Sequence, residues 1–241
     1  MYLGIDTHKR YSQVAVVDDD GNLQDEIRLP NDRLSELAEQ HAGDEAAIEA
    51  SGNYRPIYEM LDEHLNVTLV NPSKNRIIAD ATVKTDRVDA KRLAQMLRAN
   101  MLAESYVPPD EIRVLRDLVR TRKSLVEERT AEKNRVRAVL TRTDNTYDSE
   151  LFGPTGREFL AELSLSDADR AIIEAHLSVI DAYDEQIERL EEKIERKVLE
   201  SPAAQRLLTI PGVGQYTAAV IVAEVGEVER FDKDKQLVSY A

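Results

Sequence analysis

Four isoleucines, Ile173, Ile180, Ile187 and Ile194, stand seven residues apart, with Tyr183 and Leu190 at the second apolar position of the repeat. Glu and Arg fill the sites between them. A seven-residue apolar period held over about three heptads is the signature of a long helix that buries one seam against another helix. That partner is either an antiparallel helix of the same chain or a second chain. Pro202 ends the helix, and a break before it is expected from Thr143 to Gly156, where Asn145, Gly153, Pro154 and Gly156 cluster.

The first hundred residues follow a different period. Leu3 to Asp6, Tyr11 to Val17 and Leu23 to Leu29 are short apolar or alternating runs, the last two separated by the turn cluster Asp18-Asp-Asp-Gly-Asn22. Leu34, Leu37 and Ala38 mark the inner face of a helix opened by Pro30-Asn-Asp32. Ala46 to Glu49 and Val67 to Val70 read as further strands, with a Ser51-Gly-Asn turn and a helix over Pro56 to Leu65 between them. A three-stranded meander followed by alternating strands and helices predicts an α/β layer structure.

Two of these runs end in an acid, Asp6 and Glu49. A third acidic pair, Asp86 and Asp89, is spaced i,i+3 at the start of an expected helix capped by Thr85 or Asp86, with Leu93, Met96 and Leu97 inward. Ends of neighbouring central strands lie close together, and a helix crossing the sheet brings its first turn to them. Four carboxylates in one place repel unless cations neutralise them. An oxygen-rich set without cysteine suits Mg2+ or Mn2+. Two such ions activate a nucleophile and stabilise a leaving oxygen in phosphodiester transfer. The order Asp, Glu, Asp-x-x-Asp on this strand pattern is that of a ribonuclease-H-like fold.

The chain has no Cys, which excludes disulfide frameworks and thiolate catalysis. No basic-then-apolar leader and no long apolar run is present, so a cytoplasmic protein outside the membrane is expected. The overall charge is −14, yet residues 112–143 hold 10 basic and 4 acidic groups, net +6. Arg113, Arg116, Arg120 and Lys123 recur at steps of three, four and three, a stripe on one helix face opposite Leu115, Leu118, Val119, Leu125 and Val126. Arg135 and Arg137 extend it. A local basic face in an acidic molecule points to phosphate contact. Pro211-Gly-Val-Gly214 joins two short apolar segments. Gly212 and Gly214 there let backbone approach a phosphate at the next helix N-terminus, as in helix-hairpin-helix elements.

Gly4-Ile-Asp-Thr-His-Lys9, Glu49-Ala-Ser-Gly-Asn-Tyr54, Val70-Asn-Pro-Ser-Lys74 and Lys84-Thr-Asp-Arg-Val-Asp-Ala90 resemble successive blocks of the DEDD transposases, the insertion-sequence class called one-ten. Arg120 to Arg135 and Leu207-Leu-Thr-Ile-Pro-Gly-Val-Gly214 are similar to later blocks of that class. The resemblance implies a nuclease domain like that of Holliday-junction resolvases (residues 1–108), a helical coiled-coil region (109–201) that contacts RNA and DNA, and a helix-hairpin-helix start of the C-terminal domain (202–241). It implies a metal-binding, catalytic tetrad of Asp6, Glu49, Asp86 and Asp89, oligomeric assembly, and DNA transposition and recombination directed by a structured bridge RNA. In the family a later region carries a serine that attacks the DNA phosphate. The sequence stops before that block, so either a fragment or a naturally truncated gene is expected, and Ser239 is assigned no role. A catalytically dead nucleic-acid-binding remnant is the alternative. A sugar kinase of the same superfold is disfavoured, since residues 1–106 hold only Gly4, Gly21, Gly43 and Gly52 and no Gly-rich phosphate loop. A resolvase fits the coiled coil and the Pro211–Gly214 element poorly.

Overall fold

A computed structural model of the chain describes residues 1–50, 54–72 and 86–240, which divide into two compact units, Met1–Val107 and Pro108–Ala241. The Ser51-Gly-Asn turn, Ser73 and Lys74, and the capping residue Thr85 lie outside the described residues.

In the first unit, strands β1 (Tyr2–Thr7), β2 (Tyr11–Val17), β3 (Leu23–Pro30), β4 (Glu45–Glu49) and β5 (Asn66–Val70) form one mixed sheet in the order β3-β2-β1-β4-β5. β1, β2 and β3 pair antiparallel as the meander, whereas β1–β4 and β4–β5 are parallel. The meander turn is held by Asp18, whose Oδ1 accepts hydrogen bonds from the backbone N–H of Asp20 and Asn22. Gly21 sits there at φ +85°, a conformation that costs other residues strain. β3 is an edge strand and carries exposed Gln24 and Asp25, which discourage pairing with another chain.

Side chains alternate across a strand, and the two faces of this sheet meet different helices. Leu3, Ile5, Val14, Val16, Ala46, Ile48 and Leu69 face helices α1 (Leu34–Gln40) and α2 (Tyr54–Asp62). Ala47 and Val70 face helix α3 (Asp86–Arg98) through Leu93. Gly4 belongs to that second face. A Cβ at Gly4 would stand 2.0 Å from the Ala90 carbonyl oxygen and 2.4 Å from the Ala94 nitrogen. α3 therefore lies backbone to backbone on β1, a contact only glycine permits.

The second unit is helical. α4 (Asp110–Arg142) and α6 (Asp167–Glu200) are each about 50 Å long at 1.5 Å per residue. Their cross-contacts run Arg142 with Asp169, Glu132 with His176, Arg129 with Asp184 and Arg122 with Glu191, so the two helices are antiparallel. Ile173, Ile180, Ile187 and Ile194 are all buried, while Tyr183 and Leu190 are only half-buried. One seam position of the heptad is thus filled along the whole helix and the other only in part. α5 (Pro154–Glu162) packs Leu160 with Val136, Val139 and Ile173 at one end. The expected break is present over residues 143–153, but its far end is corrected, because Pro154 and Gly156 are helical. Pro154 stands at the first position, where its missing N–H is not needed. Gly156 is buried, and a Cβ there would meet the Leu151 carbonyl at 2.2 Å. At the other end α7 (Pro202–Leu208) and α8 (Gln215–Val225) join Leu115, Val119, Ile194 and Val198 through Ala204, Ala218, Ala219 and Ala223. A last short helix, α9 (Asp234–Tyr240), has no buried residue. No described helix is long and apolar enough to cross a membrane.

Candidate metal centre

The alternation that puts Gly4 under α3 also sends Asp6, two residues on, to the same face at the end of β1. Glu49 ends the adjacent parallel strand one step beyond the Ile5–Ile48 pair, on the face that Ala47 shares with α3. Because α3 is seated on Gly4, its first turn reaches these strand ends, and that turn carries Asp86 and Asp89. One ligand atom from each of Asp6, His8 and Asp86 lies within 4.8 Å of the other two. His8 Nε2 is 3.1 Å from an Asp86 carboxylate oxygen and 3.3 Å from one of Asp6. Asp89 lies one turn along α3, 3.9 Å from Arg92. Glu49 and Asp89 are not part of the 4.8 Å set.

The charges in this cluster are not balanced. Burial pushes the Asp6 carboxyl above the ordinary carboxylate value, and the fields of Asp86 and Asp89 push the same way, with His8 partly offsetting them. The Tyr11 hydroxyl donates to Asp86 Oδ2 at 3.2 Å. His8 Nε2 is buried but has no aligned hydrogen-bond partner among the described residues. Two carboxylates, a third acid within electrostatic reach and an orphaned imidazole nitrogen form a donor set that fits a hard or borderline dication.

The basic stripe on α4 is partly built into its own unit. Arg113 pairs with Asp110, and its side chain is only 13% exposed. Arg116 Nε donates to the Ala223 carbonyl at 2.9 Å and its terminal nitrogen to that of Glu224 at 3.3 Å, satisfying the end of α8. Arg120 grips the Glu224 carboxylate with two hydrogen bonds, 2.8 and 2.9 Å. This holds Glu224 below the usual carboxylate range and raises Arg120. Lys123, 3.8 Å from Glu127, stays 70% exposed. Arg135 pairs with Glu132, and Arg137 lies over the Phe152 ring at 5.0 Å; they stand about 18 Å or more beyond Lys123 along the helix. Gly212, at φ +87°, and Gly214 are exposed, and a Cβ at either would meet nothing within 4 Å.

Residues 3–144, more than half of the sequence, match the family model of the DEDD transposases of IS110 type. The chain belongs to that family. Residues 204–241 match a further model, described as the transposase IS116/IS110/IS902 family. A Sinorhizobium fredii (strain NBRC 101917 / NGR234) protein named "Putative transposase y4qE" is 27% identical over 158 residues, which are 66% of this chain and 38% of the relative. The chain thus spans well under half the length of the curated relative it matches.

Within this DEDD-type transposase chain, the carboxylates were the residues that spacing alone could single out. His8 and Tyr11 were not. The available signal was Asp6-x-His8, an i,i+2 pair at a strand end that shares one face.

Proposed function

We propose that the first unit is a ribonuclease-H-like nuclease domain, akin to Holliday-junction resolvases, acting in DNA transposition. Its metal-binding and catalytic residues are Asp6, Glu49, Asp86 and Asp89, and its cation is Mg2+ or Mn2+. When bound, such a cation polarises a phosphoryl oxygen and activates a hydroxyl or water nucleophile. The chain's own part is positional. Gly4 seats α3 so that Asp86 reaches Asp6, and Tyr11 holds the Asp86 carboxylate in orientation.

In the second unit, α4 and α6 are the arms of a coiled coil, and α7 and α8 make a helix-hairpin-helix element around Gly212 and Gly214. Both face nucleic acid. Exposed Arg120 and Lys123, with Arg135 and Arg137, supply phosphate contacts, while Arg113 and Arg116 brace the helix that presents them. The partners are DNA, a structured guide RNA and further copies of the same chain, in the cytoplasm.

The observation that carries the nuclease assignment is the meeting of Asp6 and Asp86 in one 4.8 Å set across 80 residues of sequence. A labelled four-way DNA junction, incubated with the full chain and Mn2+ or Mg2+, should be nicked. Asp6→Asn and Asp86→Asn should each lower that rate by about a hundredfold or more, the scale of removing one electrostatic stabiliser. Nicking that persists in chelator, or in both variants, overturns the assignment. Junction binding without any nicking identifies a catalytically dead binding module instead.

A further inference from the structure

His8 is held more firmly than a strand-end surface residue needs to be. Its backbone N–H donates to the Tyr11 carbonyl at 2.9 Å, closing the β1–β2 hairpin. Its carbonyl accepts from Asn31 Nδ2 at 2.8 Å, and Asn31 is fixed in turn by the hydroxyl of the fully buried Ser12, also at 2.8 Å. The imidazole stacks on the Tyr11 ring with centroids 4.6 Å apart, and the Arg28 guanidinium lies over that same tyrosine at 3.8 Å. Backbone, β3-end and aromatic contacts all set where Nε2 points.

That nitrogen points between Asp6 and Asp86. It stands 3.3 and 3.1 Å from their oxygens, close enough to pair with either, and has no hydrogen bond of good geometry among the described residues. Octahedral ligands about 2.1 Å from a cation stand about 3.0 Å apart when adjacent and about 4.2 Å when opposite. The His8 Nε2 separations of 3.1 and 3.3 Å are close to those of adjacent ligands on one ion, and one atom from each of Asp6, His8 and Asp86 falls in the same small set.

We propose that His8 Nε2 is a direct ligand of the cation held by Asp6 and Asp86, and that this nitrogen biases the site toward Mn2+ over Mg2+. The inference rests on the metal centre of the preceding subsection. Mg2+ prefers an all-oxygen shell and gives up water reluctantly, whereas first-row transition dications accept imidazole readily. The Tyr11 hydroxyl on Asp86 Oδ2 supplies the outer hydrogen bond that aims a ligating carboxylate.

The test is pulsed electron paramagnetic resonance on the full chain loaded with Mn2+, beside equilibrium titrations with Mn2+ and Mg2+. Wild type should show a coordinated-nitrogen coupling and bind Mn2+ more tightly than Mg2+. His8→Ala should abolish the coupling and weaken Mn2+ by at least about tenfold, the scale at which even outer-shell partners act. It should weaken Mg2+ by less than about threefold, since an oxygen-seeking ion loses little with an imidazole. His8→Gln, which keeps size but offers oxygen, should also lack the coupling. A wild-type Mn2+ spectrum without nitrogen coupling overturns the proposal, and needs no variant to fold. Equal weakening of both ions in His8→Ala overturns it as well. If Asp6→Asn and Asp86→Asn leave affinity unchanged, or wild type binds neither ion, the metal centre itself fails, which is a separate result from losing only His8.

Discussion

The helical unit and the strand-end cluster of the sheet unit handle charge in opposite ways. In the helical unit, cations and carboxylates are matched: Arg120 with Glu224, Arg122 with Glu191, Arg129 with Asp184, Arg142 with Asp169 and Arg157 with Asp181. The carboxyls of Glu224 and Asp169 are accordingly held low, and Arg120 and Arg157 are raised. In the strand-end cluster, Asp6 and Asp86 meet at the end of β1 and the start of α3 with Asp89 one turn on, and burial and repulsion push the Asp6 carboxyl the other way. Charge that is already satisfied contributes to structure. Charge that is assembled at a cost and left unsatisfied is the mark of a site awaiting a ligand. Even the basic stripe divides along this line, with Arg116 consumed by the end of α8 and Lys123 left 70% exposed.

Breaking the scaffold of the unsatisfied cluster should have the largest effect. Gly4→Ala puts a methyl group against the backbone of α3, where no side chain can move aside. The expected loss is about 3 kcal/mol or more, at or above the top of the usual overpacking range. Chemical denaturation should show it, and the surviving fold should bind divalent cations poorly because α3 no longer delivers Asp86. A smaller effect, of opposite sign to that of most buried substitutions, is expected for Asp6→Asn in chelator. Removing a partly buried charge from a repulsive cluster should raise stability by on the order of 1 kcal/mol or less.

The smallest effect belongs to the matched region. Glu224→Gln should cost about 0.3–1 kcal/mol near neutral pH, discounted for the pair's solvent exposure. The folded-state carboxyl of Glu224 is lowered, chiefly by its hydrogen bonds from Arg120 and further by the charges of Arg120, Arg116 and Lys123. Its contribution is therefore present above the unfolded value of about 4.3 and is lost as pH falls through the lower folded value. The stability difference between wild type and Glu224→Gln should close over that acid window and stay flat from pH 6 to pH 8.

Much of this was legible in one dimension, for definite reasons. β2 spans Tyr11–Val17 in the structure as its apolar run and turn cluster indicate, because a strand buried on both faces leaves an apolar run that local chemistry can bound. The isoleucine heptad found its seam within the same chain. The close seating of α3 on Gly4 was not legible, since nothing near Gly4 announces that a backbone 86 residues later will lie on it. His8 escaped for a related reason. A lone histidine after a strand has no meaning until the hairpin turns it toward an aspartate from α3. Spacing put Arg116 on the stripe face, but only tertiary packing shows that the end of α8 occupies it. The break after Arg142 was legible, but its far end was not, because composition cannot distinguish a loop from a helix that begins with proline at Pro154 and needs Gly156 for close packing.

The most direct measurement is the thermal unfolding of the full chain, wild type and Asp6→Asn, in chelator and with increasing Mn2+ or Mg2+. A cation bound only by the folded cluster stabilises by about 2.7 kcal/mol at a hundred times its dissociation constant. The wild-type midpoint should keep climbing with the logarithm of cation concentration above the dissociation constant, and the Asp6→Asn midpoint, higher at the start, should stay level. A wild-type midpoint that ignores the cation, or a variant that climbs as steeply, would contradict a metal centre at Asp6 and Asp86.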